Sequence, residues 1–175
     1  LNVDFELIIL DSYSTDKTNE IIEKLVKQNQ KIPTFNIESP GKGGKIKKFV
    51  LDSDYEYYAF IDADLPIHLE KFNKIITTVL TDQADLAIAS RYINGEKSNR
   101  KFSRKLTSKT YNLVLHFFLH MPITDAFAGA KSWNKKIKEN IWPDVKDQKW
   151  FFDTELIYHT VKHKYRIKEV GATYN

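Results

Sequence analysis

The chain has 175 residues, a length that suits one domain with a sizeable hydrophobic core. Hydrophobic residues make up 42% of the sequence and charged residues 29%, which excludes a disordered or low-complexity chain. There is no cysteine, so disulfide scaffolds, thiolate metal sites and cysteine nucleophiles are excluded, and any metal must bind oxygen or histidine. The formal net charge is only +4.

The positive charge is concentrated in one stretch. From Arg91 to Lys109, seven basic residues face a single acidic residue, Glu96. Such a surface suits phosphate groups, an anionic membrane face or nucleic acid, and a solvated helix face is the alternative interpretation. The most apolar stretch, residues 113–121, is too short to span a membrane but could lie on one. The sequence begins at Leu1, with no initiator Met and no signal-like apolar stretch after it, so no targeting segment is visible and we expect an excised domain or a fragment.

The hydrophobic pattern predicts strands and helices that alternate along the first half of the chain. In chain order, the predicted elements are a buried strand over 5–10, a helix capped by Ser14 or Thr15 and ending near 28, a strand over 34–38, a helix over 45–51, a strand over 57–61, a helix over 66–80 with Pro66 as its first residue, a strand over 84–90, a helix over 100–120, an irregular segment over 124–133, a helix over 134–141, a helix over 152–162 and a strand over 165–174. This order predicts an α/β fold with a mostly parallel sheet and helices on both faces. Ligands bind such sheets at the carboxyl ends of the strands.

The strongest local signal for chemistry is the pair of carboxylates at Asp62 and Asp64. A predicted buried strand delivers them, one residue apart, into a turn. Two hard oxygen ligands at such a place suit Mg²⁺ or Mn²⁺, which in turn can hold a diphosphate. The alternative is a carboxylate turn that only caps the helix at Pro66.

Two further polar turns follow other predicted strands. Asp11 and Ser14 could bind a ribose or base beside a helix N-terminus, or could simply cap that helix. The glycine-rich turn that contains Lys42 and Gly43 lacks the Walker A spacing, although its glycines permit close backbone approach. A flexible basic loop is the alternative there. The five histidines show no consistent ligand pattern, and we interpret them as structural.

The order of these motifs resembles that of the family 2 glycosyltransferases with the GT-A fold, and among them the dolichyl- or polyprenyl-phosphate sugar transferases. The matching segments are 7–18 (V-D-D-G-S-T-D-G-T in the family), 41–44 (G-K-G-x), 62–65 (D-A-D-L), 89–92 (G-S-R-Y), 104–112 (R-x-x-x-S-x-x-x-N), 123–131 (D-x-x-x-G-F-K), 152–156 (F-D-x-E-L) and 165–170 (G-Y-R-I-x-E-V). The sequence departs from the family at Ser12, Tyr13, Pro66 and Gly171. The strand with which the family opens has no counterpart here, so we expect either a fragment or a degenerate relative.

The resemblance implies a single domain over 1–175, with a nucleotide-sugar half at about 1–91 and an acceptor half at about 92–175. It implies transfer of a hexose from a UDP- or GDP-sugar to a polyprenyl or dolichyl phosphate, with Mg²⁺ or Mn²⁺ as cofactor. The expected location is peripheral, at the cytoplasmic face of a membrane, and nucleic acid is not an expected partner.

The resemblance also implies roles for individual residues. The metal ligands are Asp62 and Asp64; the residues for the nucleotide sugar are Asp11, Ser14, Lys42, Gly43 and Asp62; those for the acceptor phosphate are Arg91, Arg104 and Ser108; those for the sugar are Asp153 and Glu155; and the catalytic group is Asp64, Asp125 and Arg91. Guanidinium groups are suited to phosphate because they bind two of its oxygens at once.

Two other functions fit the same sequence. A family 2 transferase with a saccharide acceptor would need a general base, for which Asp125 and Asp153 are the candidates. A non-catalytic domain that kept the fold would bind neither metal nor nucleotide sugar tightly. A requirement for polyprenyl phosphate, and the effect of Asp64→Ala, would separate the three hypotheses.

Overall fold

The computed structural model describes residues 3–11, 13–28, 33–39, 41–93 and 123–173. The predicted helix over 100–120 therefore lies outside the described residues, together with Arg104 and Ser108. The elements in chain order are β1 (Ile9–Asp11), α1 (Thr18–Gln28), β2 (Thr34–Asn36), α2 (Lys42–Asp52), β3 (Tyr57–Ile61), α3 (Leu69–Leu80), β4 (Leu86–Ser90), β5 (Ala130–Asn134), α4 (Lys135–Asn140), a short 3₁₀ helix (Trp142–Asp144), α5 (Phe152–Lys162) and β6 (Ile167–Gly171).

The described strands form two sheets. β1 and β2 pair in parallel, and the other four strands form a sheet in the order β3-β5-β4-β6. β5 is antiparallel to both β3 and β4, whereas β4 and β6 are parallel. Three of the four strands thus run in one direction, as predicted, and their carboxyl ends lie at one edge of the sheet.

The prediction of an irregular segment over 124–133 is wrong in its second half. Residues 130–134 form β5, which lies between β3 and β4 and is buried over its first four residues. The sequence hides this strand because Lys131, Ser132 and Asn134 are polar. Their polar groups are satisfied inside the fold; for example, the Ser132 hydroxyl donates to the Tyr58 carbonyl oxygen at 2.9 Å. A buried polar group needs such a partner.

The four-stranded sheet carries helices on both faces, which confirms that part of the prediction. Because side chains alternate along a strand, Leu86 and Ile88 point to one face of β4 while Ala87 and Ala89 point to the other. The first pair belongs to a core cluster built with α2, α4 and α5. The second pair belongs to a separate cluster built with α3. The small alanines let α3 approach the sheet closely.

The ends of several elements differ from their predictions. The first strand is only Ile9–Asp11, and the predicted buried residue Phe5 is 81% exposed. In the described part of the chain β1 has one neighbouring strand, β2, so less of it is enclosed. At the N-terminus of α1 the side chain that accepts a helix N–H is Asp16, whose carboxylate accepts the Thr18 N–H at 2.9 Å. The sequence had suggested Ser14 or Thr15 for this role.

The helix α3 begins at Leu69 and not at Pro66. Leu65 adopts a left-handed backbone conformation with φ 47°, and its N–H donates to the Asp62 carbonyl oxygen at 2.9 Å. This turn redirects the chain before the helix starts. Ile67, in the same segment, is 1% exposed and anchors it in the core. Among the described residues, no helix combines the length and the apolar character that crossing a membrane would require.

Asp85 and Arg166 fasten β4 to β6 at the edge of the sheet opposite the carboxyl ends. Arg166 donates to both carboxylate oxygens of Asp85, through its Nε and its Nη2, at 3.1 Å each. The Arg166 N–H and the Asn134 side-chain amide add two more hydrogen bonds. The Arg166 hydrogen bonds in particular lower the pKa of Asp85 from its ordinary value of 3.8 to about 2.

This lowered pKa predicts a loss of stability in acid. The stabilisation is present above the pKa that Asp85 has in the unfolded chain, near 4, and is lost as the pH falls through the folded value of about 2. Between pH ~5 and pH ~2, the free energy of unfolding measured with urea should fall by about 2 kcal/mol less in Asp85→Asn than in the wild type. Asp52→Asn, on the exposed end of α2, is the control and should behave as the wild type does. Equal losses in wild type and Asp85→Asn would contradict this assignment.

Candidate functional site

The two predicted metal ligands, Asp62 and Asp64, follow β3 at the carboxyl edge of the sheet. The Asp62 N–H donates to the Gly129 carbonyl oxygen at 2.9 Å, directly beyond the last β3–β5 pair. Gly129 also leaves room for the carboxylate, because a Cβ at this position would lie 2.6 Å from Asp62 Oδ2. Asp64 is exposed on the turn. The sheet therefore holds one carboxylate in place and presents the other to solvent.

Lys42 lies against Asp62. Its Nζ is 2.7 Å from Asp62 Oδ1, and the same ammonium lies over the ring of Phe60, 4.8 Å from the centroid. Lys42 is the first residue of α2, so the positive end of the helix dipole adds to its charge. A helix N-terminus with a lysine is suited to binding phosphate groups. The structure thus brings together Lys42 and Asp62, two residues predicted to bind the nucleotide sugar.

The glycine-rich turn beside Lys42 packs closely against the start of α5 and the segment before it. The Gly43 N–H donates to the Lys149 carbonyl oxygen at 3.1 Å, and a Cβ on Gly43 would lie 2.7 Å from Phe152 Cβ. The turn does make the predicted close approach, and the groups that it approaches are the start of α5 and the segment before it. The predicted contact of Gly43 with the nucleotide stays a prediction.

Behind this turn lies a fully buried ion pair. Lys131 Nζ, on β5, is 2.6 Å from Asp153 Oδ1, at the start of α5, and also donates to the Ala128 carbonyl oxygen at 2.7 Å. Burial lowers the pKa of Lys131 and raises the pKa of Asp153, while the attraction between the two opposes both shifts. The Lys131 ammonium lies 5.4 Å from the centroid of the Phe60 ring that Lys42 also contacts. The two ion pairs are therefore neighbours.

Arg91 and Asp125 form a second buried ion pair, at the end of β4. The guanidinium donates through Nε and Nη2 to the two carboxylate oxygens of Asp125, at 2.6 and 2.5 Å. Glu169, on β6, accepts the N–H groups of Thr124 and Asp125, which fixes the turn that carries Asp125. The structure brings Arg91 and Asp125 together. Asp125 is an ion-pair partner of the Arg91 guanidinium, and binding of the acceptor phosphate by Arg91 stays a prediction.

The remaining predicted residues make local contacts. Asp11 accepts the N–H and the hydroxyl of Ser14, at 2.9 and 2.5 Å, in the turn after β1. Glu155 accepts the N–H groups of Lys146 and Asp147, at 2.6 and 2.8 Å, and so anchors the segment before α5. Binding of nucleotide by the first pair and of sugar by Glu155 stays a prediction.

Sequence reasoning did not assign a role to four residues that shape this site: Gly129, Lys131, Trp150 and Glu169. Gly129, Lys131 and Glu169 stand in the matched motifs, which give them no individual role. Trp150 stands out in the sequence only as an aromatic residue in a polar segment. Trp150 is 69% exposed, and its ring centroid is 5.9 Å from Lys42 Nζ. An exposed aromatic face at this place can stack on a base or a sugar ring.

The residues present fit the predicted Mg²⁺ or Mn²⁺. A carboxylate has two oxygens with about four acceptor positions, so the contact with Lys42 leaves Asp62 able to bind a cation through its remaining lone pairs. Asp64 adds a second hard oxygen donor that solvent can reach. Magnesium-like ions commonly use one or two carboxylates and complete their shell with water and substrate phosphates.

Comparison with known proteins identifies the family. The sequence model described as "Glycosyl transferase family 2" matches residues 1–142, most of the chain. The chain belongs to glycosyl transferase family 2. This confirms the resemblance read from the motifs.

Two curated relatives match nearly the whole chain. Glycosyltransferase AglD of Haloferax volcanii is 25% identical over 166 residues, which are 94% of this chain and 27% of that protein. The dolichyl-phosphate beta-glucosyltransferase of Dictyostelium discoideum is 25% identical over an alignment of 186 positions that covers 99% of this chain and 56% of that protein. The chain thus spans about half the length of the dolichyl-phosphate enzyme, or less in the case of AglD.

A solved structure confirms the GT-A fold of this family 2 member. Glucosyl-3-phosphoglycerate synthase of Mycobacterium tuberculosis, crystallised with Mn²⁺, UDP and phosphoglyceric acid, superposes with a TM-score of 0.69 at 16% identity. The match covers 97% of this chain and 60% of that one. At this identity the likeness concerns the fold alone.

Proposed function

We propose that the protein transfers a hexose from a nucleotide sugar to a polyprenyl phosphate, such as dolichyl phosphate. The observation that carries the proposal is the cluster of Asp62, Asp64 and Lys42, which combines two hard oxygen ligands with an ammonium group at a helix N-terminus. A nucleoside diphosphate has the complementary chemistry. Curated relatives over nearly the whole chain are named dolichyl-phosphate beta-glucosyltransferases, which supports the choice of acceptor.

Lys42 and the N-terminus of α2 would attract and orient the diphosphate of the donor. Their positive charge favours the leaving group, which gains negative charge as the sugar departs. A divalent ion bound by Asp62 and Asp64 would supply Lewis-acid stabilisation of the same charge. Trp150, exposed beside Lys42, offers a flat face for the base or the sugar.

The acceptor would need positioning more than activation. The second pKa of a phosphate monoester is about 6, so the group is mostly ionised at neutral pH and is already a nucleophile. Positive charge must hold it near the donor sugar, and the basic stretch between Arg91 and Lys109 supplies that charge in the sequence. Asp125, fixed by Arg91 and Glu169, would orient the acceptor or the sugar from the end of β4.

We also propose that the reaction takes place at the cytoplasmic face of a membrane, with the protein bound peripherally. The support is chemical: a polyprenyl phosphate keeps its chain in the lipid, and the basic stretch suits anionic headgroups. Nucleotide sugars are water-soluble, so donor and acceptor meet at the membrane surface.

A transfer assay tests the proposed function. The purified protein is incubated with radiolabelled UDP-glucose or GDP-mannose, Mn²⁺ and dolichyl phosphate in detergent micelles, and the label in the organic phase is counted. We expect transfer from one donor that requires dolichyl phosphate and stops on addition of EDTA. Asp64→Ala should lower the rate by about 100-fold or more, because a metal ligand that acts on the transition state is lost. Asp52→Ala, at an exposed position on α2, should leave the rate unchanged.

The other outcomes distinguish the alternatives. Transfer to a soluble saccharide without any need for dolichyl phosphate would overturn the lipid acceptor and favour a saccharide transferase. A folded protein that transfers from neither donor, with or without Mn²⁺, would favour a non-catalytic domain.

A further inference from the structure

A cluster of possible metal ligands lies away from the candidate active site. It consists of Asp144, on the 3₁₀ helix, His159, in the last turn of α5, and His163, the residue that caps the end of α5. One ligand atom from each of the three residues lies within 4.8 Å of the others. The two histidines are four residues apart, so they lie on the same face of the helix. Asp144, which the fold brings to that face, is the member that the sequence pattern does not suggest.

His159 has a further feature that is compatible with an ion at the cluster. Its Nδ1 is shielded from solvent and has no hydrogen-bond partner among the described residues. A buried polar nitrogen without a partner is costly, and most such atoms in proteins are satisfied. A metal ion would use the lone pair of a neutral imidazole nitrogen. Asp144 and His163 are exposed, so an ion can reach the cluster from solvent.

We propose that Asp144, His159 and His163 form a second metal site, which takes Zn²⁺ or a divalent ion of similar preference such as Co²⁺. Two imidazoles and one carboxylate are a donor set that zinc accepts, with a water molecule to complete a tetrahedral shell. The all-oxygen pair of Asp62 and Asp64 instead suits Mg²⁺ or Mn²⁺. The two sites therefore differ in the ions that they select.

An ion at the second site would hold together parts of the structure that lie near the candidate active site. Asp153, in the candidate active site, is the second residue of α5, and His159 lies six residues further on, about 9 Å along the helix axis. Near its start α5 already holds the preceding segment, because Glu155 accepts the N–H groups of Lys146 and Asp147. An ion bound to the cluster ties the 3₁₀ helix to the other end of α5. The segment between the 3₁₀ helix and α5 would then be held to α5 at two places, by Glu155 and by the ion.

Lys47 connects the same region to α2. Its ammonium donates to the carbonyl oxygens of Pro143 and Val145, at 3.0 and 2.5 Å, on either side of Asp144. The segment around Asp144 therefore supports α2, the helix that begins at Lys42 beside Asp62. Binding of the ion to the folded state raises the thermal stability of the protein by linkage.

Metal titrations test the proposal on the purified, tag-free protein after treatment with EDTA. Zn²⁺ binding is measured by calorimetry and Co²⁺ binding by visible absorption, in the wild type and in an Asp64→Ala background that removes one active-site ligand. We expect one zinc ion per chain in both, and a Co²⁺ spectrum of tetrahedral intensity. His159→Gln and His163→Gln should weaken zinc binding by at least about tenfold, since even outer-shell losses at metal sites reach that size.

His68→Gln is the matched control, because His68 is exposed at the start of α3, away from the cluster. It should bind zinc as the wild type does and show the same rise in melting temperature on zinc addition. His163→Gln, an exposed change that does not disturb the core, should lose that rise. The proposal is overturned if the wild type binds no zinc, or if His163→Gln and His68→Gln bind it equally well.

Discussion

Replacing Lys131 by methionine will destabilise the protein by about 3 to 5 kcal/mol, the usual cost of leaving one member of a buried ion pair without its partner. Lys131 and Asp153 have side chains that are 0% and 4% exposed, so water cannot replace the missing ammonium. Chemical denaturation at neutral pH measures the loss.

The double variant Lys131→Met with Asp153→Leu is the control for this prediction. It removes both charges, and we expect it to recover much of the lost stability because no buried charge remains. In the single variant the pKa of Asp153 rises further, so the penalty should shrink as the pH falls and the carboxyl takes up a proton. A loss below about 0.5 kcal/mol, the range of ordinary surface substitutions, would contradict the ion pair.

Replacing Gly129 by alanine will weaken metal-dependent binding of the nucleotide sugar by about 10- to 100-fold. The new Cβ would lie 2.6 Å from Asp62 Oδ2 and 3.1 Å from Pro66 Cγ, so the Asp62 carboxylate must move. A displacement of about 1 Å in a site that positions reacting groups can cost 100-fold. Calorimetry with Mn²⁺ and the donor measures the effect.

Thermal unfolding separates this effect from a loss of fold. The atom closest to the new Cβ is the end of a side chain, so we expect the melting temperature to change much less than the affinity does. Ala59→Ser adds an atom at an exposed position on β3 and should match the wild type in both measurements. Unchanged donor affinity in Gly129→Ala would mean that the position of Asp62 does not matter for binding.

The elements with clear apolar patterns were predictable from the sequence. The strand Tyr57–Ile61 and the helix Phe152–Lys162 have the predicted bounds, and the carboxylates Asp62 and Asp64 follow β3 as expected. In these segments, local pattern and final environment agree. The sequence also predicted close backbone approach at the glycine-rich turn, where a Cβ on Gly43 would meet Phe152.

The contacts that organise the site were not predictable in this way. β5 was missed because a buried strand with a lysine at its second position resembles a loop until Asp153, on a distant helix, is known to neutralise it. The sequence also could not show that Asp125, 34 residues away, accepts hydrogen bonds from Nε and Nη2 of Arg91. Such partners are set by the path of the sheet and not by local spacing.

The measurement that tests the central claim most directly is calorimetric titration of the purified protein with UDP-glucose and with GDP-mannose, each with and without Mn²⁺. We predict that one of the two sugars binds one site per chain only when Mn²⁺ is present, and that Asp64→Ala abolishes this binding. Binding of neither sugar by the folded protein, or binding that is equally tight without Mn²⁺ and in Asp64→Ala, would contradict a metal-dependent nucleotide-sugar site at the end of β3.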